Sequence, residues 1–112
     1  PDHIGIILSP YPNVHLEKWT IVDGPPLACP PWNNREVYFI YYACASDCSP
    51  YNFSLTLKVP ETHRGPLLTI AVAGHFLHGE NQRSLRFKNF LSQFPPWSVV
   101  TPWTSSYTSW EY

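Results

Sequence analysis

Residues 51–59 read YNFSLTLKV, and apolar and polar side chains alternate along the whole stretch. Successive side chains of an extended chain point to opposite faces, so this pattern predicts a β-strand with one face in a core and the other in water. Pro60 lacks the N–H that would continue the strand and ends it. The stretch therefore favours an antiparallel β fold, in which sheets commonly have one wet face.

Two further segments carry apolar residues on both faces. Residues 67–77 read LLTIAVAGHFL, and residues 36–44 read EVYFIYYAC. Strands that are buried on both faces read as continuous apolar runs instead of alternating ones. We therefore expect both segments to form interior strands whose two faces are covered.

The remaining strand signals are shorter and less regular. In the second of them the apolar phase shifts from even to odd positions, which predicts a β-bulge near Glu17 and Lys18. The last of them is rich in aromatic residues and threonine and predicts a terminal strand. These β-prone segments cover residues 3–8, 14–22, 97–100 and 103–112.

Two segments do not read as strands. Residues 23–34 (DGPPLACPPWNN) carry four prolines and one glycine, which exclude a helix and a central strand and predict a surface loop. Residues 84–94 predict the one helix, because Ser84 is a good N-cap and apolar side chains recur with helical spacing after it. Pro95 stops this helix.

The pattern as a whole predicts a mainly β fold. Six to seven short strands separated by turns, with one helix at about residues 84–94, add up to an antiparallel two-sheet β-sandwich. The length of 112 residues is enough for one such domain with a core and too short for two, so we expect residues 1–112 to form a single domain.

Composition narrows the class of partner. Lys and Arg total 7 and Asp and Glu total 8, a net charge of −1, so we expect no binding to a nucleic-acid backbone. No apolar run approaches the roughly 20 residues that span a bilayer, so we expect no membrane span within this chain. The chain begins at Pro1 and contains no methionine, which leads us to expect a piece of a longer protein.

Three cysteines and one glycosylation signal bear on the compartment. Cys44 and Cys48 flank a short polar segment between two strand-like runs, where a disulfide could staple a hairpin, although Cys29 could pair with either of them. Asn52 begins an N-glycosylation sequon. Together these features favour a secretory compartment, and the alternative is three free thiols and an unmodified asparagine.

No residue pattern predicts catalysis or a metal site. His75 and His78 are three apart in a strand-like run, so their rings point to opposite faces, and hydrogen-bonded structural histidines fit the pattern better than metal ligands. No serine lies in a Gly-x-Ser-x-Gly turn, and the acidic residues form no spaced pair. We predict no catalytic residue and no metal ligand, and an enzyme built on His75 and His78 is the weakest alternative.

Two of the five tryptophans are hard to bury locally. Trp32 lies in the proline-rich loop and Trp110 lies near the C-terminus. Exposed tryptophans can anchor a protein partner or form a stacking platform for a sugar ring, whereas packing in the core or at a sheet edge is the structural alternative. We predict that Trp32 and Trp110 belong to a contact surface.

The segment 70–84, IAVAGHFLHGENQRS, together with the FPPW and PW motifs that follow it, resembles the C-terminal luminal domain of the endoplasmic reticulum metallopeptidase 1 family. The likeness is close over residues 67–103. It is looser over the first half, where it stays in register through Trp19 and the aromatic strand at residues 37–42.

The resemblance implies a domain of a longer membrane protein. That family joins a zinc aminopeptidase-type domain, several membrane-spanning helices and a luminal β-rich domain, and this chain resembles only the last. The zinc ligands and the catalytic acid belong to the peptidase domain, so none is carried onto this sequence. The Cys44 to Cys48 loop and residues 23–34 depart from the family's pattern, so the disulfide is an expectation for this sequence alone.

Two functions from different classes follow. The first is a non-catalytic luminal accessory domain of a membrane zinc metallopeptidase in the endoplasmic reticulum, which packs against the rest of that protein or recruits a protein partner. The alternative is a carbohydrate-binding or lectin-like module, secreted or luminal, that uses Trp32 or Trp110 as a stacking platform.

Overall fold

A computed structural model describes residues 1–43, 49–77, 79–80, 84–101 and 104–112. Within these ranges, strands and one helix follow one another in an order typical of a mainly β domain. The elements are β1 (His3–Pro10), β2 (His15–Trp19), β3 (Cys29–Trp32), β4 (Arg35–Ala43), β5 (Leu55–Lys58), β6 (Leu68–Phe76), α1 (Leu85–Leu91) and β7 (Thr104–Glu111).

The strands form two antiparallel sheets, which confirms the predicted fold class. The larger sheet has five strands in the order β3-β4-β1-β6-β7, and the smaller one pairs β2 with β5. β1 lies at the centre and pairs along its length with both β4 and β6. The first strand of the chain therefore organises the large sheet through contacts with segments far away in sequence.

The core lies between the two sheets. Ile6 and Leu8 of β1, with Tyr38 and Ile40 of β4, present buried side chains on the inner face of the large sheet, and Leu16 of the small sheet packs against them. Leu8 is completely buried. A buried leucine of this kind contributes about 1.5 to 3 kcal/mol by leaving water.

The predicted bulge in the second strand is confirmed. Leu16 pairs with Leu57, and the next pair joins Lys18 to Thr56, so the register shifts between them and Glu17 is the extra residue. Such an insertion moves the apolar side chains from one parity to the other while they stay on the core side.

The predictions for β4 and β6 are half right. Both strands are interior in the large sheet, as their two-sided apolar pattern indicates. The expectation that both faces are covered is wrong for β4, because Phe39 and Tyr41 are exposed on its outer face. The second sheet has two strands and packs on the inner face, so among the described residues it leaves these rings open.

Several boundaries differ from the sequence-based expectation. The strand predicted at residues 51–59 forms only over Leu55–Lys58, because its partner β2 ends at Trp19, which pairs with Leu55. The loop predicted at residues 23–34 contains β3, which lies at a sheet edge where prolines are tolerated. Residues 97–100 form no strand. The helix ends at Leu91, and Ser92 caps it with its N–H bonded to the carbonyls of Lys88 and Phe90, so the expected third turn is not formed.

The domain is elongated and leaves much of its surface open. Its principal extents are 60 × 28 × 21 Å. The accessible surface is 8377 Å² for a chain of 12.9 kDa, whereas a compact monomer of that mass exposes about 6,300 Å². Among the described residues, none of the helical segments has the length and apolarity to cross a membrane.

Candidate functional site: an aromatic trough on the outer sheet face

The outer face of the five-stranded sheet places small residues between aromatic ones. β1 and β6 supply Gly5, Ala71 and Ala73 together with the larger Ile7, and the aromatic rings come from β4 and β7 on either side of them. Two cross-strand rows define this surface: Tyr41, Gly5, Ala73 and Tyr107 form one row, and Phe39, Ile7, Ala71 and Ser109 form the next. We call these eight residues the aromatic trough.

The floor of the trough is closed, and its walls are open to solvent. A Cβ atom at Gly5 would lie 3.3 Å from Cε2 of Phe39, so that ring rests over the glycine. Ala71 is 3% exposed, whereas Phe39 is 53% and Tyr107 is 66% exposed. The lack of a side chain at Gly5 therefore lets the Phe39 ring lie against the sheet, while much of that ring stays open to solvent.

Ionisable side chains lie at the two ends of the trough. None of its eight residues is charged. At one end His3 stacks on Tyr41 with ring centroids 5.4 Å apart. At the other end the Tyr11 hydroxyl donates a hydrogen bond of 2.6 Å to Oε1 of Glu111. Burial of such an uncharged aromatic surface against a complementary apolar surface is favourable by about 25 cal/mol per Å² of apolar area removed from water.

A cleft of about 660 Å³ lies beside the small sheet. His15 of β2 is the register partner of Lys58 of β5, and His63 and Arg64 of the following turn also line the cleft. The described residues that line it include basic side chains and no acidic one. Because most of these side chains are exposed, the cleft is an open surface and not an enclosed site, and the Glu36 carboxylate lies 3.9 Å from Nδ1 of His15 beside it.

A second, apolar pocket of about 400 Å³ lies beside α1. Phe87, Phe90 and Phe94 line it, and the Phe90 and Phe94 rings meet edge to face with centroids 5.2 Å apart. The Ser84 hydroxyl accepts the N–H of Phe87 at 3.2 Å and starts the helix, as predicted. None of the residues of α1 is buried, so its apolar side adds to the exposed surface of the domain.

The two predicted contact tryptophans do not lie together. Trp32 belongs to β3 and Trp110 to β7, at opposite edges of the large sheet. Four strand spacings separate these edges, which is about 19 Å. Trp32 is 72% and Trp110 is 45% exposed, so each is open to a partner, but they form two separate surfaces.

The residues predicted for a secretory compartment are only partly described. Cys29 is exposed and has a free thiol, whereas Cys44 and Cys48 lie outside the described residues. Asn52 is exposed, between the half-buried rings of Tyr51 and Phe53. The Tyr51 hydroxyl donates to the carbonyl of Ile21 at 3.0 Å, which fixes this segment with the Asn52 side chain toward water.

Titratable groups show no arrangement typical of a catalytic site in the described ranges, where no three His, Cys, Asp or Glu side chains could jointly hold a metal ion. Nδ1 of His75 lies 2.7 Å from the Ser105 hydroxyl, and His78 is outside these ranges. Burial raises the pKa of Tyr38, and the nearby Glu36 carboxylate raises it further. Tyr38 is buried in the core, whereas Glu36 is exposed beside it, so this contact joins the core to the surface.

The sequence analysis predicted neither the aromatic trough nor the cleft beside the small sheet. Their residues come from segments that are distant in sequence, and only the strand order brings them side by side. The sequence does contain one signal for the trough, the apolar odd-numbered row Val37, Phe39 and Tyr41 of β4. We interpreted this row as a second buried face, because β4 is apolar on both sides.

Together, these features describe a β-sandwich with an uncharged, exposed aromatic surface. The family model described as "Endoplasmic reticulum metallopeptidase 1, C-terminal domain" matches residues 1–110. The chain therefore belongs to this family, and the resemblance found in the sequence is confirmed.

Curated relatives carry the same family name. The chain is 28% identical over 108 residues to "Endoplasmic reticulum metallopeptidase 1" of Mus musculus, which covers 96% of this chain and 12% of that protein. The Homo sapiens protein of the same name is 26% identical over 107 residues, covering 96% of this chain and 11% of that protein. "Putative endoplasmic reticulum metallopeptidase 1-B" of Caenorhabditis elegans is 26% identical over an alignment of 85 residues, and the match covers 71% of this chain and 10% of that protein.

The chain thus spans about an eighth of the length of the mouse relative. No solved structure matches it significantly.

Proposed function

We propose that this chain is a non-catalytic accessory domain in the lumen of the endoplasmic reticulum, and that it belongs to a membrane metallopeptidase whose zinc and catalytic residues lie elsewhere. Its role is adhesion: the aromatic trough packs against the rest of the longer protein or against a protein that it recruits. The family membership and the short span of the relatives that this chain covers support this proposal.

The observation that carries the proposal is the open face of the large sheet. Phe39, Tyr41 and Tyr107 stand exposed around a floor of apolar residues and one glycine, with no charge among the eight trough residues. Antiparallel sheets that face water normally present polar side chains there. Exposed apolar patches rimmed by polar groups are typical of protein contact surfaces.

The test separates this domain from the remainder of its longer protein and asks whether they bind each other. The 112-residue chain is expressed together with a tagged form of the longer protein that lacks it, and co-purification is measured. Phe39→Asp should abolish co-purification, because a carboxylate in the interface is desolvated without a partner. Leu27→Asp is the matched control, since Leu27 is 80% exposed outside the trough, and it should bind like the unaltered chain.

Two results would overturn the proposal. Co-purification that persists in Phe39→Asp, with the variant folded, would show that the trough is not the contact surface. Zinc-dependent hydrolysis of peptides by the isolated 112-residue chain would show that the domain is itself catalytic.

A carbohydrate-binding role is the second candidate, and the exposure of Trp32 favours it. An indole ring that is open at a sheet edge can stack on the apolar face of a sugar. Binding on a glycan array that is lost in Trp32→Ala and retained in Trp97→Ala, where the ring is 82% exposed, would establish this function. A silent array would remove it.

A further inference from the structure

The two edges of the five-stranded sheet differ in their chemistry. β3 carries Pro30 and Pro31, and its register with β4 is irregular between Cys29 and Trp32. Prolines and bulges at an edge prevent another strand from adding to it. At the opposite edge, β7 has eight residues without proline or lysine, and its register with β6 is continuous. One edge is protected, and the other is not.

The outward backbone groups of β7 can be assigned from its pairing. The N–H of Tyr112 bonds the carbonyl of Leu68 at 2.9 Å, and the N–H of Leu68 bonds the carbonyl of Tyr112. Because hydrogen-bonding direction alternates along an antiparallel strand, the even-numbered residues of β7 face β6 and the odd-numbered ones face outward. Tyr107 and Ser109 therefore point N–H and C=O groups away from the sheet, and no strand among the described residues lies beyond them.

We propose that β7 pairs with β7 of a second copy of this chain, antiparallel and around a two-fold axis through Thr108. Thr108 is the midpoint of the segment 104–112 that pairs with β6, so this axis gives the longest overlap of the two strands. Tyr107 of each copy then exchanges both hydrogen bonds with Ser109 of the other. The two large sheets become one continuous sheet across the seam.

Charge and side-chain size favour a second copy as the occupant. Residues 104–110 carry no charge, so two copies meet without like-charge repulsion. Glu111 falls opposite Ser105 of the other copy, and the two Glu111 residues stand about 20 Å apart along the strand. Trp110 falls opposite Ser106 and Tyr107 opposite Ser109, so each aromatic ring meets a small side chain that leaves room for it.

The seam also extends the surface described above. Tyr107 forms one wall of the aromatic trough, so pairing along β7 places the troughs of two copies side by side on one face. All eight residues of β7 are exposed, so a second copy can reach both the outward backbone groups of β7 and the Tyr107 side chain. The inference goes beyond the proposed function, because a dimer can form whether or not the trough binds the rest of the longer protein.

Sedimentation of the 112-residue chain over a range of concentrations tests the assembly, and we expect a monomer–dimer equilibrium. Ser109→Pro removes an outward N–H that takes no part in the pairing with β6, so it should leave the fold intact and abolish the dimer. Ser109→Ala keeps the N–H and is the matched control that should still dimerise. A chain that stays monomeric throughout would overturn the proposal and leave this edge to a strand of a different protein.

Cysteine cross-linking tests the register independently of any effect of proline on folding. The Thr108 residues of the two copies form a non-hydrogen-bonded pair with Cα atoms about 4.5 Å apart, within disulfide reach, so Thr108→Cys should cross-link to itself on oxidation. The Ser106 residues lie about 14 Å apart in this arrangement, so Ser106→Cys should not. Mass spectrometry of the linked peptides separates these products from those of the native cysteines. A cross-link at position 106 equal to that at 108, or none at 108, would overturn the proposed axis.

Discussion

The guanidinium carbon of Arg35 lies 3.9 Å from the centroid of the Tyr11 ring. The same guanidinium donates to the carbonyl of Pro10 at 3.2 Å and to the Thr69 hydroxyl at 2.9 Å, and it also bonds the carbonyl of Ser9. One side chain at the start of β4 therefore contacts the end of β1, the turn that follows β1 and the start of β6. A planar fork of donors suits this task, because it can reach several acceptors at once.

Replacement of Arg35, a partly buried residue at the start of β4, should destabilise the domain strongly. Arg35→Ala leaves partly buried carbonyls without their donor and removes the contact with the Tyr11 ring, so we expect the free energy of unfolding to fall by about 2 to 3 kcal/mol. Arg35→Lys should recover only part of this. Arg64→Ala is the matched control, because Arg64 is exposed and bonds only carbonyls of its own turn. If urea titrations show the same loss of unfolding free energy in Arg35→Ala and Arg64→Ala, the stabilising role of Arg35 is contradicted.

Leu8 is the second position where a large effect is expected. It is completely buried at the centre of the sandwich, so Leu8→Ala removes buried methyl groups and leaves a cavity. We expect a loss of about 3 to 5 kcal/mol in the free energy of unfolding. Leu27→Ala, at a side chain that is 80% exposed, should change it by no more than about 0.5 kcal/mol. Chemical denaturation monitored by tryptophan fluorescence measures both, and a small effect at Leu8 would contradict the placement of the core.

Alkaline pH should lower the free energy of unfolding, because Tyr38 loses its proton. Burial raises the pKa of this phenol, and so does the Glu36 carboxylate, which accepts a hydrogen bond of 3.1 Å from the Tyr38 hydroxyl. The native state therefore holds the proton more tightly than the unfolded chain does. This stabilisation is complete below the ordinary tyrosine pKa of about 10 and is lost as the pH rises through the raised value.

Tyr38→Phe should remove this contribution and flatten the alkaline decline in stability. The free energy of unfolding, measured by urea titration at neutral and alkaline pH, provides the comparison. Tyr107→Phe is the control, because that hydroxyl belongs to an exposed side chain and its removal should leave the decline as steep as in the unaltered chain. An equally steep decline in Tyr38→Phe would show that other groups cause it.

Local patterns predicted most of the fold, because strand formation and bulges leave short-range marks in the sequence. The phase shift at Glu17 and the cap at Ser84 each correspond to a feature of the structure, and the alternation at residues 51–59 contains the shorter strand Leu55–Lys58. The limits of the elements were less predictable. Residues 97–100 contain β-branched side chains but find no partner strand in the described part of the chain, and only such a partner could make them a strand.

The surface was harder to predict than the fold, because it depends on which strands become neighbours. Gly5, Phe39 and Tyr107 are far apart in sequence, and their adjacency follows from the order β4-β1-β6-β7. Two-sided apolar strands indicate burial on both faces only when the domain supplies a layer for each face. Here the second sheet covers the inner face, and the outer rings keep the same sequence signature as core residues.

Asn52 provides a test of the compartment that is independent of any partner. Its side chain is exposed while its neighbours Tyr51 and Phe53 point inward, so an oligosaccharide transferase can reach it without unfolding the core. We predict that the chain made in a secretory pathway carries one N-glycan, seen as a mobility shift that an endoglycosidase reverses. Asn52→Gln and Ser54→Ala should both abolish the shift, whereas Ser54→Thr preserves the sequon and should retain it. Asn89→Gln alters an exposed asparagine outside any sequon and should also retain the shift. An unaltered chain that emerges without a glycan would contradict the prediction.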